Sequence, residues 1–106
     1  MKVLFLDDLR PIPEMYLCMR DVQVTVARNF DEFKTLIDTQ NFDEISFDHD
    51  LGHGKSGYDA VTYLEYKIRM EEYPVPSVMV CHSANPSGRQ RINQVIDGIF
   101  YWNSMR

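Results

Sequence analysis

The chain has 106 residues, 44% of them apolar and 25% charged, which excludes a disordered tail, a fibrous repeat and a disulfide scaffold. One domain spanning residues 1–106 is expected from that length. A net charge of −5, from 11 basic and 16 acidic side chains, argues against binding of bulk nucleic acid but leaves room for a small anion held locally.

Val3-Leu4-Phe5-Leu6 is a continuous apolar run stopped by Asp7-Asp8, the pattern of a strand buried on both faces. A short helix follows around Pro13–Met19. Val22, Val24 and Val26 alternate with Gln23 and Thr25, as in a half-exposed or edge strand. Asn29 and Glu32 have capping-box spacing, and Phe30, Phe33, Leu36 and Ile37 form a helical stripe to about Thr39. Ile45-Ser46-Phe47 predicts a third strand, ended by Asp48-His49-Asp50, and Gly52 to Gly57 reads as a loop. Ser56 and Asp59 then cap a helix striped by Val61, Leu64 and Ile68.

Pro74 and Pro76 close that helix before a fourth apolar strand, Val78–Cys81, which reads as buried. Asn85-Pro86 places a cap and a first-turn proline ahead of a helix with Ile92, Val95, Ile96, Ile99 and Phe100 on one side. Gly98 weakens that helix, so Ile99–Trp102 is open to a helical or a fifth-strand reading. Strand and helix alternating four times predict a parallel sheet with helices on both faces. In a 2-1-3-4 order the fourth strand lies at an edge. Its apolar character therefore calls for cover by the C-terminal helix or by a second copy, a homodimer through strand four or that helix. Cys18 and Cys81 are isolated, no apolar run approaches membrane length, and no leader pattern follows Met1, so a cytoplasmic location is expected.

In open parallel sheets ligands bind beyond the carboxyl ends of the strands. Three strands end there in polar groups, Asp7-Asp8, Asp48-His49-Asp50 and His82-Ser83, while the edge strand is read as contributing none. At about 4 Å and an effective dielectric near 20, each like-charged pair costs about 4 kcal/mol, so clustered carboxylates need a cation, a raised pKa or basic neighbours. Oxygen ligands suit Mg²⁺ or Mn²⁺, and His49 or His82 would shift the preference toward Mn²⁺, Fe or Zn²⁺. His82 is a candidate proton shuttle, Ser83 a donor or nucleophile, and Arg10 a group that orients the acid pair. Asn85, Arg89 and the free amides of the last helix could hold phosphate oxygens, whereas Arg91 reads as a surface charge. Gly54-Lys55-Ser56 suggests a P-loop, but the motif needs glycine at position 49 and meets His49; Lys55 is placed over the site on a loop. Tyr63, Tyr66, Tyr73 and Phe100-Tyr101-Trp102 read as packing.

Leu6-Asp7-Asp8-Leu9-Arg10-Pro11, Asp48-His49-Asp50-Leu51-Gly52 with Gly57-Tyr58-Asp59, and His82-Ser83-Ala84-Asn85-Pro86-Ser87-Gly88-Arg89 fall in order over nearly the whole chain. On these pieces the sequence resembles the cyclic-phosphate processing receiver domain family, related to the receiver domains of two-component signalling. The resemblance implies a receiver-like, flavodoxin-like α/β sandwich of three layers with a four-stranded 2-1-3-4 sheet. It implies action on a cyclic phosphate or cyclic nucleotide, with Asp7, Asp8, Asp48 and Asp50 around a divalent cation and His82 and Ser83 beside the phosphate. Signalling receivers carry a lysine after a fifth strand and a single acceptor aspartate. Here the first has no evident counterpart and the second is an Asp-His-Asp triplet. Metal-dependent phosphoesterase chemistry is therefore the leading expectation, with a phospho-accepting switch or a cyclic-nucleotide-binding module as the alternatives.

Overall fold

The strand built on the Val3–Leu6 apolar run lies inside the sheet, and the alternating Gln23–Ala27 strand lies at its edge. In the computed structural model, which describes residues 1–106, β1 (Lys2–Leu6), β2 (Gln23–Ala27), β3 (Glu44–Phe47) and β4 (Val78–Cys81) form one parallel sheet in the order β2-β1-β3-β4. Between and after them run α1 (Glu14–Leu17), α2 (Phe30–Thr39), α3 (Gly57–Arg69) and α4 (Pro86–Ser104). This is the receiver-like, flavodoxin-like order expected. Right-handed crossovers explain its layers, because the chain moves one way from β1 to β2 and the other way from β2 to β3 and β4.

The two faces are unequal. Leu4, Leu6, Ile45, Phe47 and Met79 pack beneath α2, α3 and α4 through Phe33, Ile37, Leu64, Ile68, Ile92 and Ile99. On the opposite face Val3 and Phe5 meet only Tyr16 of the one-turn α1, with Ile12, Val22 and Val24 around them. The Tyr16 hydroxyl donates to the Glu44 carboxylate, which ties α1 to β3. Burial, and next the hydrogen bond to Glu44 and its charge, push the Tyr16 hydroxyl up to about 12. The second helical layer is thus a single turn, and it leaves this face of the sheet thinly covered.

Two sequence expectations change. β4 is not buried on both faces: Val78 and Val80 are 40% and 42% exposed, while Met79 is buried. Its Val78 and Val80 side chains share the thin face, and no strand of the chain pairs with its outer edge. The segment 99–102 is helical, since α4 continues to Ser104 with Ile99 buried. No helix is long and apolar enough to cross a membrane.

The helix starts follow their caps. Asn29 Oδ1 accepts from the Glu32 N–H at 2.8 Å, and Glu32 reaches back to the Arg28 N–H at 2.7 Å. Ser56 and Asp59 form a reciprocal capping box, and Asn85 Oδ1 accepts from the Gly88 N–H at 3.0 Å.

Candidate functional site

The strand register assembles the site. Leu6 lies beside Ala27 and Phe47, and Phe47 beside Cys81. One residue further on, Asp7 N–H donates to Ala27 C=O at 3.0 Å, Asp48 N–H to Leu6 C=O at 3.0 Å, and His82 N–H to Phe47 C=O at 2.9 Å. These bonds extend the ladder by one rung, so Arg28, Asp7, Asp48 and His82 form a row across all four strands. Alternate residues of a strand share a face, which puts Asp7, Asp48 and His82 on the side of Phe5, Ser46 and Val80. That is the thinly covered face, where the row stays open to solvent at its end.

Asp7 is 1% exposed and fully engaged. Its Oδ1 accepts from the amides of Leu9 at 2.9 Å and Arg10 at 2.8 Å, and its Oδ2 lies 2.9 Å from His82 Nε2. Burial raises its pKa, but the two amides and His82 together outweigh burial and hold the carboxyl below its ordinary value. Asp48, 8% exposed, accepts one hydrogen bond, from the His49 N–H at 2.8 Å. Burial and the nearby Asp7 charge push its carboxyl above the ordinary value, against the pull of that amide, His82 and Arg10. The His82 ring stacks on Phe5 with centroids 4.6 Å apart, and its Nδ1 meets Ser46 Oγ at 2.7 Å. Both ring nitrogens are therefore engaged.

Above the row a cleft of about 320 Å³ is lined by Asp7, Asp8, Leu9, Arg10, Asp48, Asp50, Ser83, Ala84 and Asn85. Four carboxylates face one guanidinium there. Arg10 donates from Nη1 to His82 C=O at 2.9 Å, and its Nε lies 3.7 Å from Asp7 Oδ2. Ser83 Oγ accepts from the Asn85 N–H at 3.1 Å, which leaves its own O–H free to donate into the cleft. Asp50, at the exposed lip, is kept ionised by His49 Nδ1 at 2.9 Å, with Asn85 Nδ2 at 3.5 Å a weaker partner.

A family model for the cyclic-phosphate processing receiver domain matches residues 2–98. The chain belongs to that family. No curated protein gives a significant match.

In this family member Asp7, Asp48 and His82 are the group suited to a cation, with one ligand atom from each lying within 4.8 Å of the others. Two carboxylates and an imidazole fit a divalent ion, and the Asp48 carboxyl, raised first by burial and then by the Asp7 charge, is a group whose ionised form such an ion would favour.

Of the residues singled out from the sequence, Asp7, Asp8, Arg10, Asp48, Asp50, Ser83 and Asn85 line the cleft together, and His82, which does not line it, is bonded to Asp7. Three do not join them. His49 is turned aside, bonded to Asp50 and lying over Gly88, where an added Cβ would stand 2.3 Å from the imidazole Cγ. Lys55 sits over the Phe30 ring at 4.8 Å, in a neighbouring groove with Asn29 and His53. Arg89 is exposed and lines no part of the cleft. The α4 N-terminus is also largely spent: Pro86 has no N–H, and the Gly88 and Arg89 amides bond to Asn85. Arg91 is an exposed surface charge, as read from the sequence, and lies over the Tyr58 ring at 4.0 Å.

Sequence reasoning missed two supports. Arg28, just past β2, donates from Nη1 to the carbonyls of Asp7 at 3.1 Å and Arg10 at 2.7 Å, so the edge strand does contribute to the rim. Ser46 carries a signal as the polar residue between Ile45 and Phe47, two positions before Asp48 and so on its face. Gly57 permits a close approach of α3 to β3, since a Cβ there would lie 1.6 Å from the Asp48 carbonyl oxygen.

Proposed function

We propose that the protein hydrolyses a small cyclic phosphate, such as a cyclic nucleotide, in the cleft over the Asp7–Asp48–His82 row. The observation that carries this reading is the convergence of those three ligand atoms within 4.8 Å, two of them on residues that line an acidic cleft, in a member of a cyclic-phosphate processing family. Asp7, Asp48 and His82 would hold a divalent ion, Mg²⁺ or Mn²⁺, and the imidazole in the set favours Mn²⁺ of the two. Such an ion supplies charge neutralisation for the acids and for the phosphoryl oxygens.

The chain's own groups do the rest. Arg10 has guanidinium N–H groups beyond those on His82 and Asp7, and these with the Ser83 O–H and the Asn85 amide donate to the non-bridging oxygens. Asp50, ionised and at the lip, takes a proton from the attacking water and returns it to the departing ester oxygen, giving a phosphate monoester. His82 holds rather than shuttles, because substrate would have to displace Asp7 or Ser46 to reach either ring nitrogen.

Phosphorus NMR of 2′,3′-cyclic and 3′,5′-cyclic nucleotides incubated with the protein and Mn²⁺ tests the reading. Conversion to monoesters, abolished by chelation and by Asp48→Asn, is expected. Binding by calorimetry without conversion would refute hydrolysis in favour of sequestration, and neither binding nor conversion would refute both. A second reading is an aspartyl phosphate on Asp48, favoured by its single hydrogen bond where Asp50 is tied to His49 and Asn85. Acetyl phosphate would then leave an acid-stable, base-labile adduct on Asp48 visible by mass spectrometry.

A further inference from the structure

We propose that Ser46 is a positioning residue whose hydroxyl serves either tautomer of His82, so that the imidazole can pass from bonding Asp7 to ligating a cation without losing its second hydrogen bond. The inference rests on the reading of Asp7, Asp48 and His82 as a cation site and goes beyond it, since it assigns a role to a residue of the strand interior that does not line the cleft.

Hydrogen-bond chemistry sets the starting state. Asp7 is an ionised carboxylate and can only accept, so the His82 Nε2 that faces it at 2.9 Å carries the hydrogen. In the neutral ring Nδ1 is then a lone pair, and Ser46 Oγ at 2.7 Å must be its donor. A cation shared by Asp7, Asp48 and His82 needs the lone pair on Nε2 instead. The hydrogen leaves Nε2 and one arrives at Nδ1, both exchanged with solvent, with no change in ring charge. The same Ser46 oxygen now accepts.

Few side chains could stand in for it. An amide or a carboxylate presents a fixed acceptor or donor, whereas a hydroxyl rotates between the two roles about one bond. Ser46 is 3% exposed, held on β3 between Ile45 and Phe47, and the His82 ring is fixed in its plane by stacking on Phe5 at 10°. The imidazole therefore has its ring plane set by Phe5, its far nitrogen matched by Ser46, and its near nitrogen delivered to the acids. Metal-binding histidines commonly hold their second ring nitrogen in a hydrogen bond of this kind, and its loss typically costs about 10–100-fold in metal affinity.

The test uses the intact protein and Zn²⁺, a diamagnetic ion suited to an imidazole-containing site. Long-range proton–nitrogen correlation spectra report which ring nitrogen of His82 bears the hydrogen, with His82→Gln supplying the assignment. The Nε2–H form is expected without Zn²⁺ and the Nδ1–H form with it. Calorimetry is expected to show Ser46→Ala weakening Zn²⁺ binding about 10–100-fold and Ser46→Thr, which keeps the hydroxyl, restoring most of it. Zn²⁺ binding with Nε2 still protonated, or Ser46→Ala binding as tightly as the parent, would overturn the role of Ser46 alone. No Zn²⁺ binding at His82 at all would overturn the cation site with it. The spectra of the unsubstituted protein decide the matter even if Ser46→Ala does not fold.

Discussion

Replacing Asp48 by asparagine is expected to stabilise the cation-free protein while destroying its cation site. Asp7 and Asp48 present oxygens within 4.8 Å of each other, both on buried residues. At that separation and an effective dielectric near 20 the gross repulsion is about 3.5 kcal/mol. Arg10, His82 and the open end of the cleft offset much of it, so the net gain on removing the Asp48 charge is about 1 kcal/mol, or about 5 °C in Tm for a domain of this size. Asparagine keeps the acceptor for the His49 amide.

The pH dependence has a definite sign. The folded state raises the Asp48 carboxyl above its unfolded value, so the folded state binds this proton more readily. The penalty, from burial first and the Asp7 charge second, is present in full above the raised value and is lost as pH falls through it toward the ordinary carboxylate range. The advantage of Asp48→Asn should shrink over the same window. The assay is thermal unfolding with a chelator, from neutral pH down to pH 4, repeated with excess Mn²⁺. The parent should gain about 2.7 kcal/mol with Mn²⁺ at a hundred times its Kd, and the variant far less. A lower Tm for Asp48→Asn in chelator would refute the reasoning, because the acids would then not be crowded enough to need a cation.

Asp7 should behave in the opposite way: its lowered carboxyl contributes stability above the ordinary value that is lost as pH falls through the depressed one. Asp7→Ala strands the Leu9 and Arg10 amides and His82 Nε2, and chemical denaturation should show a loss of about 3 kcal/mol. Gly57→Ala forces α3 away from the Asp48 carbonyl, which a Cβ would meet at 1.6 Å, and should cost about 3 kcal/mol together with most of the cation affinity. Gly98→Ala is the contrasting case. Beyond its chain neighbours and the backbone of α4 itself, no heavy atom lies within 4 Å of its Cβ position, so the better helix former should raise stability by about 0.8–1 kcal/mol in the same denaturation assay.

Much of this architecture is written locally. The Asn29–Glu32 and Ser56–Asp59 spacings mark the starts of α2 and α3, and Asn85-Pro86 marks that of α4, because capping chemistry acts over three or four residues. The acidic strand ends were legible for a related reason, since a parallel sheet brings carboxyl ends to one rim whatever the register. Which residues then meet depends on the register, and register is a property of pairing between distant segments. Only that pairing puts Asp7, Asp48 and His82 in one row and leaves His49, one residue out of phase, against Gly88. The same reason hid Arg28, whose reach to the Asp7 and Arg10 carbonyls follows from β2 lying beside β1. The apolar letters of β4 suggested burial, but an edge strand on a thinly covered face leaves Val78 and Val80 in solvent. Gly98 left both readings of segment 99–102 open, and the structure decides for the helix, since α4 runs through it to Ser104 with Ile99 on its buried side.

The most direct measurement is an anomalous difference map from crystals grown with Mn²⁺. One strong peak is expected in contact with a carboxylate oxygen of Asp7, a carboxylate oxygen of Asp48 and Nε2 of His82. A map with no peak in the cleft, or with the ion on Asp8 and Asp50 while His82 stays bonded to Asp7, would contradict it.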